Sequence, residues 1–244
     1  MKIKVIIILA LVLCCSCSEQ IIIESDELQE AISQVWLDAD QAQKALGKIN
    51  TSILNEYEQQ RYRLTEAHLM LKRELRLPNS SNLDAMANYF ANCEDEASAS
   101  EAYYIQGAYL NYIGENTQAM QYLKKAESYP AASIIRGMTY YKMGRISESE
   151  QLYDIALENY QKALPYLEEA GLPLYLASVY RELGRNTHDE SRNQYFDKAL
   201  VAARFMGDTI LQMDIRYAQL SANQDNTPEL ASICQYMCHK AGQK

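Results

Sequence analysis

The side chains able to hold a metal, attack a carbonyl or carry a proton are few in this chain, and they are scattered. His68, His188 and His239 fall on separate predicted elements, and no His-Glu-x-x-His pairs two of them. Cys234 and Cys238, with His239 beside them, are the one clustered set. The two thiols sit one helical turn apart on one face, while His239 points about 100° away, which is poor geometry for a three-ligand metal site. A buried small-residue face is the reading this spacing favours, with a disulfide open in an oxidising compartment. Cys93 has no partner within its own segment. No Gly-x-Ser-x-Gly elbow and no glycine-rich phosphate loop occurs. The carboxylate runs Glu94-Asp95-Glu96 and Glu168-Glu169 fall at predicted helix ends or on solvent faces. No catalytic residue, metal ligand or cofactor is assigned, and the chain reads as a non-enzyme.

The remaining cysteines stand at the N-terminus, where they imply a covalent modification. Lys2 and Lys4 precede the apolar run Val5–Leu13, and Cys14-Cys15-Ser16-Cys17 follows it. A short basic segment, a short apolar segment and a small-residue exit are the layout of a secretory signal peptide; the run is far below the ~20 residues that span a bilayer. The junction resembles a bacterial lipobox, in which a small residue precedes a cysteine that is lipidated and becomes the new N-terminus. Cys17, preceded by Ser16, fits best, although Cys14 stands where the pattern usually has Leu. The expectation is a signal peptide over 1–16, a lipidated Cys17 with a short tether over 17–24, and a membrane-anchored lipoprotein on the exported side, at the periplasmic face, outer membrane or cell surface. Ordinary cleavage releasing the chain is the alternative.

Composition narrows what the tether carries. Nine Gly and five Val in 244 residues leave little material for strands, hairpin turns or phosphate loops. Ala, Leu, Glu, Gln and Tyr, which helices use freely, fill the space. The net charge is −9, and without the first sixteen residues 21 basic face 32 acidic residues, a net of −11. That sign repels phosphate backbones, and no basic run overrides it, so nucleic acid is not an expected partner.

Internal repetition sets the architecture. Residues 103–114, 133–144 and 174–184 superpose with Gly107, Gly137 and Ala177 as small residues, an aromatic or Leu three further on, and Gly114, Gly144 and Gly184 at the end. Second-helix signatures follow at Ala119…Leu123…Ala126, Ala156…Tyr160…Ala163 and Phe196…Ala199. In this alignment the small residues admit a partner helix, and each closing Gly supplies the positive φ that ends the first helix. These positions resemble the tetratricopeptide repeat (TPR), a helix–turn–helix unit of about 34 residues. The resemblance covers about residues 100–206 and implies an all-α, right-handed α-solenoid of tandem hairpins. The sequence departs from the pattern by about seven extra residues between Gly144 and Ala156 and about three between Gly184 and Tyr195. Only Pro130, with Pro165, approximates the proline usual at a unit's end.

The flanks fit the same plan in degenerate form. Over 25–99, Leu28, Ile32 and Trp36 with Ala42, Leu46 and Ile49 make one amphipathic pair. A long helix over 54–76 follows, ending before Pro78, and then a short one capped at Ser80 or Ser81. Over 207–244, segments 209–221 and 228–239 make a last pair as a cap, with Thr227 as N-cap and Pro228 in the first turn.

The resemblance places first-helix residues on an inner, concave face. In the first unit these are Tyr104, Ala108, Asn111 and Tyr112; in the second, Met138, Tyr141 and Lys142; in the third, Ser178, Arg181 and Glu182. Tyr103, Tyr122, Tyr140, Tyr160 and Tyr180 are core aromatics in this register. Tyrosine gives broad contact area at low entropy cost. The implied function is a scaffold that holds a protein or peptide partner. The alternatives are a glycan- or nutrient-capture lipoprotein using the same tyrosines, and a sensory repeat region related to membrane-bound regulators. The first alternative wants an aromatic platform, and the only Trp lies at position 36, in the degenerate N-terminal pair.

Overall fold

The computed structural model describes residues 25–74, 77, 81–224 and 228–241, with backbone alone at 81 and 237–241. The expected signal peptide, Cys17 and the expected tether, Pro78, Ser80, Thr227 and the side chains of Cys238 and His239 lie outside the described residues. Twelve α-helices and no strand are found among the described residues, of which 79% are helical. They are α1 (Asp26–Gln34), α2 (Ala39–Leu46), α3 (Glu56–Lys72), α4 (Ser81–Asn92), α5 (Glu96–Tyr112) and α6 (Asn116–Ser128). After them come α7 (Ser133–Ser149), α8 (Tyr153–Ala170), α9 (Pro173–Asn186), α10 (Arg192–Phe205), α11 (Thr209–Ala222) and α12 (Pro228–Ala241). No described helix is long and apolar enough to cross a membrane.

Local chemistry starts several of these helices. Ser25, Asp38, Asp95 and Asp208 each accept a hydrogen bond from a first-turn backbone N–H, and Asn55 with Glu58 forms a reciprocal capping box. Pro173 opens α9, where its missing N–H costs nothing. Pro165, read above as a unit's end, lies inside α8, which runs on to Gly171 at φ 66°.

Neighbouring helices pack in antiparallel pairs, α5 on α6, α7 on α8 and α9 on α10. Bare Cα atoms set how closely they pack. A Cβ built on Gly107 would stand 2.8 Å from Leu123, on Gly137 2.7 Å from Leu167, on Gly144 2.5 Å from the Tyr160 ring and on Gly184 2.9 Å from the Phe196 ring. Gly144 and Gly184 therefore do not end their helices; they lie inside α7 and α9 as contact points. Gly114, at φ 89°, does follow the end of α5, and the matching place after α7 is taken by Gln151 at φ 62°.

This changes the alignment of the units. Gly107 corresponds to Gly144 and Gly184, each against Leu123, Tyr160 or Phe196, while Ser100 corresponds to Gly137 and Ala177. The seven extra residues of the second unit disappear, because that alignment was displaced by seven. The cause is helical geometry: seven residues are nearly two turns, so small residues at i and i+7 share a face and a pattern shifted by seven still matches.

The first pair stands apart from this stack. Ala31, Val35, Ala42, Ala45 and Leu46 of α1–α2 and its loop form a small core with Leu69 of α3, separate from the large core that spans α3 to α11. Trp36 packs against both.

Two substitutions distinguish the registers. Gly144→Ala drives a methyl into the Tyr160 ring and should destabilise by about 1–3 kcal/mol. Gly114→Ala meets no atom within 4 Å and carries only the strain of its positive φ, a cost of about 1 kcal/mol. Urea melts in which Gly114→Ala is the more damaging would restore the original alignment.

Candidate functional site

The corrected register redistributes the residues assigned to an inner face. Tyr104, Tyr141 and Arg181 occupy equivalent positions, as do Ile105, Lys142 and Glu182, and Ala108, Arg145 and Arg185. Tyr104 is 3% exposed, Tyr141 8%, Ala108 0%, Met138 6% and Glu182 1%, so half of the proposed strip is core. Tyr104, Tyr112 and Tyr141 do not form one open surface. Asn111, Lys142, Ser178 and Arg181 are half-buried, and only Tyr112, 54% exposed, faces solvent. Of the tyrosines expected in the core, Tyr103, Tyr160 and Tyr180 are buried, while Tyr122 and Tyr140 are half-buried.

Tyr104 is covered by the N-terminal part of the same chain. The Trp36 ring lies 5.9 Å from Tyr104, 5.5 Å from Tyr175 of α9 and 4.4 Å from His68 of α3. Lys72, at the end of α3, donates from Nζ to the Trp36 carbonyl at 3.1 Å and to the Tyr175 hydroxyl at 2.7 Å, and stands over both rings. Burial lowers the Lys72 ammonium below its ordinary pKa. Tyr112 donates to the Glu74 carbonyl at 3.3 Å, so the end of α3 also reaches α5. Beneath lies a buried polar group: His68 Nδ1 is 2.7 Å from Glu101 Oε1, and Arg61 stands 3.6 Å from Glu101 Oε2. Burial pushes the Glu101 carboxyl up, but the hydrogen bond and charge of His68, then Arg61, outweigh it and hold it below its ordinary value.

A second charged cluster lies where α7, α9 and α11 face one another, and it remains open. Glu182 Oε1 accepts from Arg181 Nη2 at 2.5 Å, and Arg145 Nη1 from α7 lies 3.8 Å away. Arg181 also pairs with Asp214 of α11. Arg185 lies 3.4 Å from Glu148, whose other oxygen accepts from the Tyr160 hydroxyl at 2.8 Å. Burial and the negative charge of Glu182 raise the Tyr141 phenol, with Arg145 opposing. The geometry is asymmetric. Glu182 is buried and its Oε2 has no hydrogen-bond partner, with Arg185 Nε at 3.7 Å, while the side chains of Arg145 and Arg185 are 48% and 50% exposed. Two half-exposed guanidinium groups can receive an anion, with the buried Glu182 carboxylate behind them.

Sequence reasoning placed Arg181 and Glu182 here but missed Arg145, Arg185, Glu148 and Asp214. Reading Gly144 and Gly184 as helix ends hid them, because it puts Arg145, Glu148 and Arg185 in the connecting turns, whereas the helices run on to Ser149 and Asn186. It also missed what many tyrosines do. Tyr57, Tyr122, Tyr140, Tyr160 and Tyr180 each donate to a carboxylate on a neighbouring helix, at Asp95, Asp84, Glu127, Glu148 and Glu168. The hydrogen bond to Asp84, with burial, raises the Tyr122 phenol to about 12. Separations of 12 or 13 residues in three of these pairs were the available signal.

Other concavities lie elsewhere among the described residues. A cavity of about 460 Å³ separates α3 from α4, with Met70 and Met86 inside and Arg63 among its lining residues. A shallow groove of about 510 Å³ between α9 and α10 is floored by Leu176 and Tyr180 and edged by Val201 and Phe205. Cys93 and Cys234 are free thiols. Compared with known proteins, the chain matches no family model, no curated protein and no solved structure.

Three variants test this description. Tyr141→Ala should cost about 3 kcal/mol as a core truncation, whereas Tyr112→Ala should stay within about 0.5 kcal/mol. Similar melting curves for the two would refute the burial pattern. Because the Glu101 pKa is lower in the folded chain, the stability it contributes is present above the unfolded carboxyl value of about 4.3 and is lost as pH falls through the lower folded value. Glu101→Gln should therefore melt below wild type at pH 7 and approach it near pH 3. A gap independent of pH would show that charge at Glu101 is not what the fold uses.

Proposed function

We propose that this chain is a membrane-anchored, TPR-like lipoprotein that holds an extended segment of a partner protein on the exported side of the membrane. In this reading the hairpins stack as a right-handed solenoid, Cys17 carries the lipid, and the cluster on α7, α9 and α11 is the contact site. The observation that carries it is the pair of half-exposed guanidinium groups, Arg145 and Arg185, set before the buried Glu182. An extended peptide can supply the matching group, an acidic side chain that pairs with the arginines. Stacked helix pairs with small residues at the joints support the solenoid; the 1–17 layout supports the anchor.

The test begins with peptides selected from a random display library against the chain. Arg145→Ala with Arg185→Ala should weaken a selected peptide at least tenfold, about 1.4 kcal/mol, measured at a temperature where the variant, which also loses two cations beside the buried Glu182, is still folded. Peptides indifferent to both arginines, or glycan-array binding in place of peptide binding, would defeat the scaffold reading. For the anchor, wild-type chain extracted from membranes should carry lipid on Cys17, and Cys17→Ala should give no lipidated form. An unmodified N-terminus elsewhere in the wild type would refute it.

A further inference from the structure

On the face of α5 and α9 beside the arginine cluster, Tyr104 and Tyr175 are covered by Trp36, from the loop of the chain's own first hairpin. That hairpin has a small core of its own, and nine residues, 47–55, connect it to α3. Beyond Leu69 and Tyr62 of α3, the contacts that hold it include the Trp36 ring against His68, Tyr104 and Tyr175, the Trp36 carbonyl on Lys72, and Arg73 on Asp40 and the Ala39 carbonyl.

The groups around Trp36 do not depend on the hairpin. α3 is fixed to α5 and the turn before it by Tyr57 on Asp95, Arg61 on Ser98 and His68 on Glu101, and Lys72 is fixed to α9 through the Tyr175 hydroxyl. Withdrawal of α1–α2 leaves a preformed seat. Its walls are the Tyr104 and Tyr175 rings and the His68 imidazole, with an ammonium at one edge placed both over a π-face and on a carbonyl. Such a seat takes an aromatic ring by edge contacts and cation–π attraction, and takes the carbonyl of the same residue from Lys72.

We propose that α1–α2 is a lid that opens as a unit, and that the seat vacated by Trp36 recognises an aromatic residue of the partner segment, ring and backbone carbonyl together. The proposal rests on the scaffold reading and adds its regulation: Trp36 is the occupant in cis, and the partner must displace it. Exposure of Leu69 and of the Trp36 ring on opening keeps the lid shut in the free chain.

Native-state hydrogen exchange of the full chain in low urea reads the lid. Amides of α1 and α2 should exchange together, at least about tenfold faster than those of α5 and α7. Lys72→Gln should speed them about fivefold more without altering α7–α10. Exchange of α1–α2 only in step with α5–α9, in both chains, overturns the lid. The probe for the seat is N-acetyl-tryptophanamide, followed by its own fluorescence anisotropy, since Trp36 is the only tryptophan. Trp36→Ala should bind it saturably, and Trp36→Leu serves in its place if the alanine variant does not fold. Adding Tyr175→Leu should weaken binding at least about tenfold. A folded variant that binds no probe overturns the seat. A chain that selects no peptide yet opens and binds the probe loses the scaffold reading alone.

Discussion

An aromatic or leucine side chain laid on a bare Cα is the contact from which the stack is built. Tyr160 on Gly144, Phe196 on Gly184, Leu123 on Gly107 and Leu167 on Gly137 each need the partner helix to lack a side chain at that level. The constraint is mutual, because a knob of that size has no other volume to enter once the backbones are this close. It fixes the rotation of each helix about its axis, and that rotation decides which residues of α5, α7 and α9 face the core and which face the charged cluster.

Tyrosine solves a second problem that close packing creates. Helices this near bury polar edges, and an acidic chain has carboxylates at many of them. A phenol fills the joint with its ring and places its hydroxyl on a carboxylate of the next helix, as Tyr160 does on Glu148 and Tyr180 on Glu168. The nineteen tyrosines and the surplus of acids are thus partly one feature. Where a tyrosine position is replaced by charge, as Arg181 replaces Tyr141 and Tyr104, the acid becomes Glu182 and the joint becomes an ion cluster. Burying it is costly unless every group is satisfied, which makes Oε2 of Glu182 conspicuous, since it has Arg185 at 3.7 Å but no hydrogen bond.

The first hairpin answers to different physics. Its small core and short helices give it little independent stability, and it is attached through Leu69 of α3, the Trp36 indole, the Lys72 ammonium and Arg73. Such an element sits at the low end of a molecule's local stabilities, where moving parts are found.

The sequence alone determined the helical class and nearly every helix, because scarce valine and glycine, capping residues and helical periodicity are local properties. It also marked Gly107, Gly137 and Ala177 as packing points. It could not fix the register between units, since a shift of two turns preserves the face of every small residue, and only the knob across the joint distinguishes Gly114 from Gly107. The site inherited that ambiguity: Tyr112 came out exposed and Arg181 and Glu182 came out clustered, but Tyr104 and Tyr141 went into the core. Nor could local pattern bring Trp36 to Tyr175, or Lys72 to a hydroxyl 103 residues away. Those contacts depend on how pairs of helices accumulate rotation along the chain, a quantity that no single segment encodes.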